Sequence, residues 1–154
     1  MKITAKTVMV AAAIMVIFTA TASSHCEIPC GIYDDQARIK LLNEHITTIE
    51  KSMDQIVTLS AEGEKNYNQL IRWVNNKEEH ANKFMEIVTQ YFMTQRIKPV
   101  DPSEAGPVEK YQKSLGLLHQ MLVYAMKCKQ TTDKANTAKL GELVEGFSQH
   151  YFSE

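Results

Sequence analysis

Between Asp35 and Ser60 the apolar residues Ile39, Leu42, Ile46, Ile49, Met53 and Ile56 recur in alternating steps of three and four. That rhythm keeps one face of a helix apolar, and Lys40, Asn43, Glu44, Lys51 and Asp54 fill the opposite face. The spacing predicts a helix over 35–60, begun by Asp34 and Asp35 through capping and the helix dipole and ended by Gly63. A second helical stretch, from Glu64 to Ile97, carries Leu70, Val74, Ala81, Phe84, Met85, Val88, Tyr91 and Phe92 at helical spacing. Asn75-Asn76 could bend it, so the pattern allows one long helix or two. Lys98 through Pro107 holds Pro99, Pro102, Gly106 and Pro107 and reads as a loop. A third helix is expected from Val108 to about Gln130 on Tyr111, Leu115, Leu118, Leu122 and Ala125. After a cap at Thr132-Asp133, a fourth runs to about Tyr151 on Leu140, Leu143, Val144, Phe147 and Tyr151. Each helix has an apolar stripe and no sheet on which to bury it, which predicts an all-α four-helix bundle. Met53, Phe84 and Tyr91 lie on those stripes and read as core.

Residues 1–24 do not continue this pattern. Lys2 and Lys6 precede an unbroken apolar run from Val8 to Phe18, and Ala20, Ala22 and Ser24 supply small residues after it. That is the layout of a secretory signal peptide, with an apolar run short for a membrane span. Two cuts satisfy the small-residue rule, one leaving Ser23 first and the other leaving His25 first. The chain is therefore read as a cleaved signal over 1–24, a short segment over 25–33, and a helical bundle over 34–154. An exported protein, periplasmic or extracellular, is expected. Loss of residues 1–24 removes two lysines and no acid, leaving 15 basic against 18 acidic side chains, a net of about −3. No basic block remains to neutralise phosphates, which argues against nucleic acid as a partner and gives no electrostatic reason to bind anionic membranes.

The chemistry concentrates in His25-Cys26-Glu27-Ile28-Pro29-Cys30-Gly31-Ile32-Tyr33. If the cut falls before His25, that residue gains a free α-amine beside its imidazole. The amine and the Cys26 amide nitrogen can close one five-membered chelate ring, and the amide nitrogen and Cys26 thiolate another. Cys30 returns a second thiolate, helped by the restricted Pro29 and the permissive Gly31. The His25 imidazole can reach an axial position. A plane of two nitrogens and two sulfurs suits nickel or copper rather than tetrahedral zinc. Binding needs deprotonated donors, so metal uptake should release protons and weaken in acid. Cysteine arithmetic allows another reading, because an exported chain with an odd cysteine count could pair Cys26 with Cys30 and bury Cys128.

The run His25-Cys26-x-x-Pro29-Cys30-Gly31-x-Tyr33 resembles the N-terminal hook of nickel superoxide dismutase, and Gln90-Tyr91-Phe92 up to Lys98-Pro99 resembles the end of a bundle helix in that family. The resemblance implies a four-helix bundle assembled as a homohexamer, with one nickel ion per chain. It implies thiolate ligands at Cys26 and Cys30, and an amine and axial imidazole from His25. Tyr33 would place its phenol near the open face, limiting anion access and ordering water. The implied reaction turns two superoxide anions and two protons into dioxygen and hydrogen peroxide, with nickel cycling between +2 and +3. Some positions depart from the family. Glu27 stands where aspartate is frequent, Lys40 and Leu41 stand near the place of the carboxylate that orients the axial imidazole, and Glu44 is a substitute for it. The arginine supporting that carboxylate is replaced near Glu79-His80. Of the other histidines, His45, His119 and His150 have no matched partner in the sequence and read as ordinary polar residues, as does His80. Two other functions fit the residues: an exported bundle that carries metal without turnover, and an interaction bundle whose Cys26–Cys30 pair is a disulfide.

Overall fold

The first apolar seam becomes α1, Asp35–Ala61, in a computed structural model that describes residues 31–153. The Asp34 carboxylate caps it, accepting a hydrogen bond from the Ala37 amide at 2.9 Å. Leu42, Ile46, Ile49 and Met53 are buried along it, with Ile39 packed against the same core. Gly63 ends the run at φ +77°, a left-handed conformation that only glycine adopts at little cost. A single 3-10 turn, Glu64–Asn66, leads into α2, Tyr67–Glu86. This helix passes through Asn75 and Asn76 without a break. Asn76 instead links it to α1, its side-chain amide donating to Ser52 Oγ at 2.9 Å.

The same helix then continues as ten π-helical residues, Ile87–Arg96, whose bonding shifts to the i→i−5 pattern. The Ile97 amide donates to Phe92 O at 2.8 Å, and the side chains of Thr94 and Gln95 reach the carbonyls of Thr89 and Gln90. A connection over 97–104 precedes α3, Ala105–Gln130. That helix begins before Val108, and Pro107 falls in its first turn, where its missing N–H has no intrahelical carbonyl to serve. The buried seam of α3 is Ser114, Leu118, Met121, Ala125 and Cys128, so Leu115 and Leu122 only flank the core. Last comes α4, Ala135–Phe152, with Asp133 Oδ1 accepting from the Ala135 amide at 2.9 Å.

α1 packs on α2 and α4, and α3 packs on the same two. The four helices thus form a ring with one shared core, as short connections between amphipathic helices require. At one end Phe92 meets Phe147 edge-on at 5.0 Å, and Phe147 stacks on Tyr151 at 5.3 Å. One stripe does not join the core: Tyr67, Ile71 and Val74, at the start of α2, are 56%, 60% and 37% exposed. Val74 therefore faces solvent, although its spacing matches that of the buried residues further along. The bundle begins at Asp34, and the residues up to Tyr33 form a separate unit. Among the described residues no helix is long and apolar enough to cross a membrane.

Candidate metal centre

His25, Cys26 and Cys30 lie outside the described residues, which take up the chain at Gly31. Gly31 sits at φ +88°, so the residue directly after Cys30 holds a left-handed backbone that a side chain would strain. Tyr33 is 38% exposed. Among the described residues no group of three or more His, Cys, Asp or Glu side chains is arranged to hold a metal ion. Cys128 is a free thiol buried in the core, where burial pushes its pKa up to about 11. A thiol kept protonated in that way is a poor nucleophile and a poor ligand. Cys128 thus takes the core role that its place on α3 suggests.

Immediately after Tyr33, the chain enters a polar cluster that the sequence pattern did not disclose. The Asp35 carboxylate accepts hydrogen bonds from Tyr91 Oη at 2.7 Å and Tyr151 Oη at 2.8 Å. It also accepts a two-pronged pair from Arg96, Nε at 2.8 Å and the terminal nitrogen at 2.7 Å. Burial alone would raise the Asp35 pKa, but Arg96, Tyr91 and Tyr151 together hold it below the ordinary carboxylate value. The same contacts act in reverse on the phenols. Burial and the facing Asp35 charge push Tyr91 up to about 12 and raise Tyr151 as well. The Arg38 guanidinium lies 4.9 Å from the centre of the Tyr91 ring.

The cluster binds the first turn of α1 to the end of the π-helical segment and to the last turn of α4. Asp35 was legible only as a favourable helix-start charge, and Tyr91 as core at the end of a bundle helix. The available signal was chemical: a tyrosine at a core position still has a hydroxyl that must find a partner. A cavity of about 590 Å³ opens beside the cluster, walled by Ile97, Val100, Pro107, Tyr111 and Phe152 among others. Among the described residues its lining has no thiolate or imidazole.

The positions that depart from the family pattern are also placed. Lys40 and Glu44 are exposed on α1, and Leu41 is half-buried. Glu79 is engaged by Lys83 at 2.5 Å. His45 and His80, which the sequence gave no reason to pair, meet across α1 and α2 with Nδ1 atoms 2.9 Å apart. His150 contacts the Lys110 carbonyl through Nε2 at 3.1 Å, and His119 is exposed on α3.

A family model described as nickel-containing superoxide dismutase matches residues 20–154, spanning the hook and the whole bundle. No curated protein and no solved structure matches the chain.

Proposed function

The chain belongs to the nickel-containing superoxide dismutase family, and from that premise we propose that its nickel is held by His25, Cys26 and Cys30. The protein is an oxidoreductase acting on superoxide, and its cofactor is nickel. The observation that carries the ligand assignment is the donor set itself. Two thiolates, a terminal amine, an amide nitrogen and an imidazole within six residues fit a tetragonal ion. When bound, nickel supplies a one-electron couple between +2 and +3, which strong anionic donors make accessible.

The chain's own residues do the rest. Cys26 and Cys30 would hold the ion through two anionic thiolates, and Pro29 and Gly31 are residue types that suit a chain return between and after them. The left-handed backbone of Gly31 supports that turn. The His25 imidazole would be a further nitrogen donor to the ion. Tyr33 limits which anions approach and orders water, through a phenol that is partly open to solvent. The α-amine of His25 exists only after cleavage before that residue, so removal of residues 1–24 is part of activation. Residues 1–24 then act as an export signal, and the mature enzyme works in the periplasm or outside the cell.

Assembly as a homohexamer fits the same reading. The exposed stripe of Tyr67, Ile71 and Val74 supports a contact surface on α2, since contiguous apolar surface of that kind marks interaction sites.

Replacing either thiolate tests the ligand assignment. Cys26→Ser and Cys30→Ser should each lose nickel and superoxide dismutation while their far-ultraviolet circular dichroism matches the parent, because the four helices bury their apolar stripes on one another. Nickel retained with full activity in either variant would refute the assignment.

A further inference from the structure

Each imidazole carries one nitrogen that can accept a proton or a metal ion when the ring is neutral. His45 of α1 and His80 of α2 approach Nδ1 to Nδ1 at 2.9 Å, with ring planes at 66° and both side chains half-buried. Two nitrogens each about 2.05 Å from one ion and at right angles to each other stand about 2.9 Å apart, whereas a tetrahedral angle would need about 3.4 Å. The observed spacing is that of the hydrogen bond the free pair makes, and it is also the spacing of a cis pair on a tetragonal ion, the preference of Ni(II) and Cu(II). The rings are also in the right state. Burial lowers the pKa of both, so at neutral pH they favour the neutral form that binds metal.

The surroundings set the strength. Among the described residues no third His, Cys, Asp or Glu completes a cluster, so the site rests on two imidazoles. Lys83 lies close enough to lower both imidazole pKa values and opposes a cation, while the Glu79 carboxylate is engaged by Lys83. Those terms make a labile site rather than a tight one. As the free pair stands, one ring donates its Nδ1–H to the other. Metal binding therefore requires that ring to carry its proton at Nε2.

We propose that His45 and His80 form a labile two-imidazole chelate for a divalent ion of tetragonal preference, Ni(II) or Cu(II), sharing no ligand with the N-terminal hook. The test uses full-length mature protein without an affinity tag, already loaded with its first nickel, dialysed to equilibrium against Ni(II). A second equivalent of nickel should bind, and the ring resonances of His45 and His80 should broaden or shift as it does. His45→Gln and His80→Gln should each lose the second equivalent while keeping the first. If nickel stays at one equivalent and the two ring resonances do not respond, the pair is a hydrogen bond only and the proposal fails. It fails equally if the second equivalent persists in both variants. Loss of the first nickel in the cysteine variants tests the hook alone, so the two assignments fail independently.

Discussion

Lys77 shows how one side chain can close a helix. The residue is 4% exposed, and its ammonium donates to the carbonyls of Cys128, Lys129 and Thr131 at 2.8, 2.5 and 3.1 Å. These include the last carbonyls of α3, which have no amide to receive and sit at the negative end of the helix dipole. Lys77→Met keeps the length and apolar stem but orphans the carbonyls, so it should cost about 1–3 kcal/mol. The urea midpoint should fall while nickel content per folded chain is unchanged. Nothing in the sequence marked Lys77, because Lys77-Glu78-Glu79 reads as a solvated helix face. The hook is the opposite case. Its proposed ligand set could be read from the sequence because His25, Cys26 and Cys30 stand within six residues of one another. The His45–His80 pair, 35 residues apart, was invisible because only the packing of two helices brings the rings together.

At the scale of the element, the π-helical end of α2 explains the Asp35 cluster. Tyr91 and Arg96 are five residues apart, which on an ordinary α-helix places them roughly 140° apart around the axis. With i→i−5 bonding, five residues complete close to one turn, and both side chains face the same carboxylate. Deleting Thr94, an exposed residue of this segment, should restore α-geometry and swing Arg96 off Asp35. Asp35→Asn weakens the same contacts directly and should cost about 1–3 kcal/mol. Measured as melting temperatures, the two changes should be less than additive in combination.

The cluster also fixes a pH window. Asp35 has a lowered folded pKa, so its contribution is present above the ordinary carboxylate value and is lost as pH falls through the folded one. Tyr91 has a raised folded pKa of about 12, so its contribution is present below the ordinary value of 10.0 and is lost as pH rises toward 12. Stability should therefore decline below about pH 4 and above about pH 10. Asp35→Asn should flatten both limbs in thermal melts across pH.

The helix seams themselves were legible, because periodicity reports burial. A switch to π bonding leaves no mark in that periodicity. The α3 seam was misplaced for a related reason: Leu115 and Leu122 look as apolar as Leu118, and only the position of the neighbouring helices decides which of them turns inward.

For the whole molecule, the bundle is a scaffold whose start, at Asp34 and Asp35, follows directly on the hook. Its four-helix class was readable from the stripes, and the family match now covers hook and bundle together. Assembly was not readable from the stripes, because an apolar residue turned outward to meet another chain has the same spacing as one turned inward. Val74 is exposed although it keeps that spacing, with Tyr67 and Ile71 beside it. Ile71→Glu should shift the sedimentation coefficient toward smaller species while leaving nickel bound to the hook. An unchanged coefficient would remove α2 from the proposed contact.

The central claim is that nickel is bound by a hook made complete by cleavage. Intact mass and N-terminal sequence of natively purified protein, with nickel measured on the same sample, test it most directly. The expected result is a mature chain beginning at His25 with about one nickel per chain. An active, nickel-loaded protein beginning at Ser23, or retaining residues 1–24, would contradict it, because the α-amine would no longer belong to His25.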